Sequence, residues 1–288
     1  MTIEVVEFLQ NMQNGFFDFF FNFISFLGEE YIYILILGTI YYAINKKFGE
    51  YLAFTLFFTG LLNSTIKVIV NAPRPFQKYP DRVTNLRPET SEGFSFPSGH
   101  TQNFTAFLFA GGFKLKNMNF IIVASVLSAL MGMSRMYLGV HFLEDVAVGL
   151  VLGIITAYAL SKLFYQLSDK QLFYLNIGVL VFFLPFLLIY GDESFFKGYG
   201  LMVGFTFAMM FEKKYVNFSL NVSTLKKVIR VVSGLLVMVS IQLGLGIVFD
   251  LFAEEGTMLL HILDLVRYGL IAFVGLGLYP LLFQKLNF

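Results

Sequence analysis

Three short segments of the chain carry side chains suited to binding and cleaving a phosphate ester. They are 67–75 (KVIVNAPRP), 97–100 (PSGH) and 134–145 (SRMYLGVHFLED). The whole chain has three histidines, and two of them lie in these segments. Ionisable side chains are costly in an apolar protein and are usually kept there for function. Their concentration in three segments therefore indicates a reactive site.

The third segment pairs a histidine with a carboxylate. His141 and Asp145 have the i, i+4 spacing that places side chains on one face of a helix. A carboxylate so placed can accept the Nδ1–H and leave Nε2 with a free lone pair, which suits a nucleophile or a base. The alternative is an aspartate that caps a helix beside an interfacial histidine.

The second segment has the features of a helix start. Ser98 is a plausible N-cap, and Gly99 lets the backbone approach a ligand closely. Amides at a helix N-terminus bind anions, so His100 in the first turn could protonate a leaving oxygen there. Taken alone, this segment could equally be a turn followed by an unrelated histidine.

Three cations accompany these groups. Lys67 is near the end of an apolar run, Arg74 follows it, and Arg135 follows Ser134. A guanidinium is a planar fork of donors for phosphate oxygens, and an ammonium is a compact charge. Each cation could instead snorkel towards the membrane surface or anchor a loop.

The composition is that of a membrane protein. Hydrophobic residues make up 57% of the 288 residues and charged residues 14%, whereas soluble domains carry about 25% charged residues. A net charge of +1 gives no indication of a nucleic-acid partner. The chain has no cysteine, which excludes disulfides and thiol catalysis. Nothing in the sequence specifies an oligomeric state.

Apolar runs predict an all-α, polytopic transmembrane helix bundle. About nine runs approach the length of a spanning helix; they are 31–45, 50–70, 99–113, 119–137, 142–164, 172–190, 195–211, 228–249 and 259–283. The Phe-rich stretch 16–27 is shorter and contains Asp18 and Asn22, so we interpret it as an interfacial or re-entrant helix rather than a span.

The distribution of lysines predicts the orientation. If the loop after 31–45 is cytoplasmic, alternation of the spans collects most lysines on that side and most carboxylates on the other, as the positive-inside rule requires. Loop 71–97 and turn 134–141 then lie on the outer face. This outer loop is basic, with Lys78, Arg82 and Arg87, and we expect an anionic substrate to be the reason.

The three segments match K-x6-R-P, P-S-G-H and S-R-x5-H-x3-D at every specified position and in that order. They resemble the signature of the type 2 phosphatidic acid phosphatase superfamily, whose relatives include glucose-6-phosphatase and the vanadium haloperoxidases. The resemblance covers about residues 30–190 and implies that the reaction needs neither a metal nor another cofactor.

The resemblance also implies roles for the matching residues. His141 would attack phosphorus and form a phosphohistidine, Asp145 would orient it, and His100 would protonate the leaving group and then activate water. The phosphate oxygens would be bound by Lys67, Arg74, Ser98, the Gly99 amide and Arg135. Such positioning and charge stabilisation are what phosphoryl transfer chiefly requires.

These predictions divide the chain into an N-terminal interfacial or re-entrant segment (1–30), a phosphatase core (31–190) and a C-terminal transmembrane extension (191–288). In the extension, His261, Asp264 and Arg267 form a polar stripe. It could be a gate or a second site, and the commoner explanation is a paired contact between helices.

The expected function is hydrolysis of a lipid phosphate or diphosphate at the outer face of a bacterial cytoplasmic membrane. Phosphatidic acid, phosphatidylglycerophosphate and polyprenyl diphosphates present the same group to the same donors. The alternatives are a sugar phosphatase resembling glucose-6-phosphatase, a lipid phosphotransferase, and a non-catalytic transporter or scaffold. The expected partners are the lipid substrate and the bilayer.

Overall fold

A computed structural model describes residues 2–254 and 256–286, and all its regular elements are helical. The predicted segment 191–288 includes Glu255 and residues 287–288, which lie outside the described residues. The helices are α1 (Glu4–Gln10), α2 (Gly15–Phe26), α3 (Glu30–Thr39), α4 (Lys46–Val70), α5 (Pro75–Lys78), α6 (Gly99–Leu115), α7 (Met118–Tyr137), α8 (Leu143–Leu163), α9 (Asp169–Tyr190), α10 (Glu193–Phe211), α11 (Thr224–Asp250), α12 (Met258–Phe273) and α13 (Leu281–Lys285).

Within the described residues, seven helical segments are long and apolar enough to cross a membrane. They are Lys46–Lys78, Met118–Tyr137, Leu143–Gln166, Asp169–Ile189, Glu193–Val216, Thr224–Asp250 and Met258–Lys285. An eighth span results if α2 and the helix Glu30–Ile44, which are bent by 50° at their junction, count as one. The predicted transmembrane helix bundle is confirmed, and the chain is an integral membrane protein.

The span count is lower than the nine that the apolar runs predicted. The difference lies in two places. Helix α6 is not among the seven, and its 17 residues are at the lower end of the about 17–25 that span a bilayer. The run 31–45 is the second arm of the bent pair and adds a span only together with α2.

The chain forms two compact units. One comprises Met1–Tyr33 and Leu62–Leu163, and the other comprises Ile34–Leu61 and Phe164–Phe288. All eight predicted site residues belong to the first unit. The three-segment division at residues 30 and 190 remains a prediction.

In the first unit, α6 packs against α8 through two glycines one turn apart. A Cβ atom at Gly149 would lie 2.9 Å from the Ser98 carbonyl oxygen, and one at Gly153 would lie 2.7 Å from that of Gln102. These distances leave no room for a side chain, so the glycines permit a close helix crossing. The crossing holds the start of α6 beside the start of α8. The second motif (97–100) and the third motif (134–145) therefore lie next to each other.

In the second unit, buried carboxylates pair with lysines. Lys46 donates to Glu212 at 2.7 Å, and Lys213 lies 2.9 Å from Glu50. Two residues of the C-terminal polar stripe are paired as well: Asp264 lies 2.5 Å from Arg267 of the same helix and 3.9 Å from Lys197 of α10. The contact between Asp264 and Lys197 is interhelical, as the commoner explanation predicted, whereas Nδ1 of His261 is buried without a hydrogen-bond partner among the described residues.

Candidate active site

A turn that contains Gly139 positions His141 in the site. Helix α7 ends in a Schellman motif, in which Gly139 donates to Met136 O at 3.0 Å and Val140 donates to Arg135 O at 3.2 Å. Gly139 has φ +76°, and a Cβ there would lie 2.3 Å from the Thr84 carbonyl oxygen. Glycine is the residue that fits this turn.

His141 precedes helix α8 rather than lying on it, so the predicted stacking with Asp145 on one helix face is wrong. Asp145 is in the first turn of α8, where its Oδ2 accepts from the Phe142 amide at 2.8 Å. The Nδ1 of His141 lies 3.5 Å from this oxygen. The hydroxyl of Ser95 donates to the same oxygen at 2.5 Å and lies 3.4 Å from Nδ1. Ser95 therefore connects the histidine and the aspartate.

Arg74 faces the other nitrogen of the ring. Its Nη1 lies 3.3 Å from His141 Nε2. A guanidinium has only donors, so the nitrogen facing it is the unprotonated one, and the proton lies on Nδ1 towards Ser95 and Asp145. The guanidinium is held by backbone carbonyls of Gly93 (3.0 Å), Val140 (3.0 Å) and Glu92 (2.5 Å).

Backbone contacts join the second motif to the third. Ser98 is the N-cap of α6 as predicted, and its amide donates to the Asp145 carbonyl at 3.0 Å. The Ser98 hydroxyl lies 2.9 Å from that of Thr101 and makes no capping bond to the backbone. A Cβ at Gly99 would lie 3.9 Å from Lys67 Cε, so the helix start is next to this cation.

His100 packs against the bend between α2 and α3. A Cβ at Gly28 would lie 3.2 Å from His100 Cδ2 and 2.8 Å from Met131 Cε. The His100 Nε2 atom is buried and has no hydrogen-bond partner among the residues that the structure describes. It is therefore available to a group brought by a substrate.

The two remaining cations are held by loop and N-terminal groups. Lys67 Nζ donates to the Phe94 carbonyl. Arg135 is fully buried, and it donates to Ser25 Oγ at 2.5 Å and to Thr90 O at 2.9 Å.

The charges of the site act together on His141, which is 2% exposed. Burial is the largest cause that lowers its pKa well below the usual value, followed by the positive charges of Arg74, Lys67 and Arg135. The neutral imidazole is therefore the stable form.

The sequence analysis did not predict two serines of the site. Ser95 is two residues before Pro97, so its closeness to the second motif in the sequence could have identified it. Ser25 is 110 residues from its partner Arg135, and the sequence has no signal for that contact.

Two of the three cations in the basic outer loop are paired with carboxylates, so the predicted substrate role does not extend to them. Arg82 binds Glu7 through two bonds of 2.5 and 2.7 Å, and Arg87 pairs with Glu29. These arginines neutralise carboxylates of the N-terminal segment, so they are not free cations for a substrate. In the described part of the chain, no group of three or more His, Cys, Asp or Glu residues is arranged to hold a metal ion.

Comparison with known proteins agrees with the motifs. The PAP2 superfamily model matches residues 49–169, and the model for the PAP2 superfamily phosphatase, transmembrane extension, matches residues 196–288. Phosphatidylglycerophosphatase B of Bacillus subtilis is 33% identical over 42% of this chain and 61% of its own length. Undecaprenyl-diphosphatase BcrC of the same organism is 32% identical over 38% of this chain and 52% of its own length.

Lipid phosphate phosphatase delta of Arabidopsis thaliana is 26% identical, over 51% of this chain and 38% of its own length. The chain thus spans less than two thirds of the length of each of these curated relatives. The crystal structure of Aquifex aeolicus LpxE is similar at 28% identity over 55% of this chain and 93% of that one, with a TM-score of 0.47.

The first family model contains all three motifs, and the second contains most of α10 and the helices after it. The resemblance is therefore confirmed, and the chain belongs to the PAP2 superfamily.

Proposed function

We propose that the chain is a membrane phosphatase that hydrolyses lipid phosphates or diphosphates through a phosphohistidine on His141. The observation that carries this proposal is the position of His141 between Arg74 on its Nε2 side and Ser95 and Asp145 on its Nδ1 side. This arrangement favours a neutral ring with its lone pair directed at a cation-lined space. An attacking histidine needs that form.

In the first step, Nε2 of His141 attacks phosphorus and the bond from phosphorus to the lipid oxygen breaks. His100, which takes up a proton when the anionic phosphate enters the site, gives that proton to the departing oxygen. Lys67, Arg74, Arg135, Ser98 and the Gly99 amide stabilise the charge on the equatorial oxygens. Asp145 and Ser95 stabilise the imidazolium that forms.

In the second step, a water molecule attacks the phosphohistidine. His100, now neutral, takes a proton from that water, and the phosphorus–nitrogen bond breaks. Inorganic phosphate leaves, and both histidines return to their first state. The step requires only residues of the site and water, so we propose a metal-independent hydrolase.

A lipid substrate suits a site built on membrane helices, because the tail can stay in the bilayer during the reaction. The names of the similar proteins include a phosphatidylglycerophosphatase and an undecaprenyl-diphosphatase. We propose that residues 31–190 form the phosphatase core and that the site faces the outer side of a bacterial cytoplasmic membrane.

Phosphate release from a lipid panel in detergent, with EDTA present, tests this function. The panel contains phosphatidic acid, phosphatidylglycerophosphate and undecaprenyl diphosphate, with glucose 6-phosphate as the water-soluble comparison. We expect release from at least one lipid by the wild type and none by His141→Ala, because the nucleophile is lost.

His261→Ala is the matched control, since it removes the one histidine outside the site. It should retain activity. Equal release by the wild type and His141→Ala would overturn the proposal, and release that EDTA abolishes would overturn metal independence. A preference for glucose 6-phosphate would overturn the lipid substrate class.

A further inference from the structure

The second unit contains a cavity that the proposed reaction does not use. Its volume is about 370 Å³, and it lies between the start of α4, the start of α9 and the end of α10. Its apolar walls are formed by Phe164, Leu172, Phe173, Phe205, Met209 and Met210. The volume is within the range of ligand sites in proteins, about 300–1,000 Å³.

One polar group inside the cavity lacks a partner. Asn176 lines the cavity and is 5% exposed, yet its amide oxygen has no hydrogen-bond partner among the described residues. A buried amide without a partner costs free energy. A ligand with a hydroxyl or amine donor would satisfy it.

The charged residues that line the cavity have an excess of positive charge. They are three lysines and two carboxylates. Both carboxylates are already paired, because Lys213 lies 2.9 Å from Glu50 and 2.8 Å from Asp169. The other two lysines, Lys170 and Lys214, are exposed and mark the mouth; each lies over a tyrosine ring, and within the described chain neither has a carboxylate within ion-pair distance.

The positive-inside frame puts this mouth at the cytoplasmic surface, where anionic lipid headgroups are found. An acyl chain matches the phenylalanine and methionine walls, and a phosphate matches the two lysines that lack a carboxylate. A water-soluble anion would leave the apolar walls uncovered. A lipid without net charge would leave the charge of these lysines unbalanced.

We propose that this cavity binds one anionic phospholipid, with its phosphate between Lys170 and Lys214 and an acyl chain against Phe173 and Met209. The headgroup hydroxyls of phosphatidylglycerol would supply a donor for Asn176. The site is separate from the phosphatase residues, and the proposal does not depend on the proposed reaction.

Native mass spectrometry of the full chain in detergent tests the site. The protein is titrated with dioleoyl-phosphatidylglycerol and, as the neutral-headgroup comparison, with dioleoyl-phosphatidylcholine. We expect the wild type to bind phosphatidylglycerol more tightly. The double variant K170Q/K214Q should weaken that binding by roughly tenfold or more, because each lysine near a headgroup contributes to the attraction.

Two further variants separate this site from a general effect of charge. K226Q/K227Q removes two lysines at the start of α11 that do not line the cavity, and it should bind as the wild type does. Met210 lines the cavity and is 44% exposed, so Met210→Trp should fill the entrance, fold normally and lose the lipid.

Three results would overturn the proposal. These are equal binding of the two lipids by the wild type, wild-type binding by K170Q/K214Q, and an equal loss in K226Q/K227Q. Binding that resists Met210→Trp would place the lipid elsewhere and overturn it as well.

Discussion

At the scale of single residues, Ser95 is the group that the reaction geometry depends on without belonging to a recognised motif. Nδ1 of His141 lies 3.5 Å from Asp145 Oδ2 and 3.4 Å from the Ser95 hydroxyl, and that hydroxyl donates to Asp145 at 2.5 Å. Ser95 fixes the carboxylate beside the ring and offers a second oxygen to the Nδ1 proton. We therefore infer that Ser95 helps to orient the ring.

We therefore expect Ser95→Ala to lower kcat by about 10- to 100-fold, the effect of losing a hydrogen bond to a charged group. KM should change less, because Ser95 does not belong to the phosphate donors. Ser95→Thr keeps a hydroxyl and should recover part of the rate. Steady-state phosphate release measures all three proteins, and unchanged kcat in Ser95→Ala would contradict the role.

The pH dependence follows from the lowered pKa of His141. The reactive neutral form is lost only as the pH falls through that pKa, which is below the ordinary value of about 6.5. The acidic limb of kcat/KM should therefore lie below pH 6.5. Lys67→Gln removes a charge that lowers the pKa, so its acidic limb should move up towards pH 6.5, whatever the loss in rate.

The residue types and spacing predicted which side chains lie together, but not all of their contacts. His141 lies beside Arg74 and Asp145, as the motifs predicted, and the catalytic roles of these residues stay predictions. The link through Ser95 arises from the path of loop 79–97, and the Ser25 contact joins distant parts of the chain. Neither path follows from local spacing.

At the scale of elements, the end of α7 decides where His141 lies. The i, i+4 pattern predicted His141 on a helix, yet α7 ends at Tyr137 and α8 begins at Leu143, so the histidine is in the turn between them. Of the two residues, only Asp145 lies on a helix as the pattern predicted. A glycine two residues before the histidine was the available signal.

Gly139→Ala should disrupt this turn. A non-glycine residue with positive φ costs about 1–2 kcal/mol, and the added Cβ would also meet the Thr84 carbonyl oxygen at 2.3 Å. We expect a lower melting temperature in detergent and strongly reduced phosphate release. Gly178→Ala is the matched control, because a Cβ there has no atom within 4 Å; it should have neither effect.

At the scale of the whole molecule, the loops that the lysine distribution assigned to one side do contact each other within their units. Lys46 meets Glu212, and Lys47 lies 3.0 Å from Asp169. Glu7 and Arg82, both assigned to the outer side, also pair. The lysine distribution predicted which loops lie together, because it assigns whole loops, rather than single residues, to one side. It could not predict that Arg82 is paired within the protein, since that depends on the fold of the N-terminal segment.

Single cysteines test the orientation, because the chain has no cysteine of its own. Asp81 is exposed in the predicted outer loop, and Lys116 is exposed in the predicted cytoplasmic turn between α6 and α7. Asp81→Cys should react with a membrane-impermeant maleimide in intact cells, whereas Lys116→Cys should react only after lysis. The reverse pattern would invert the orientation and put the phosphatase site, which follows Asp81 in the same loop, on the cytoplasmic face. A lipid presented at the outer leaflet could then not be its substrate.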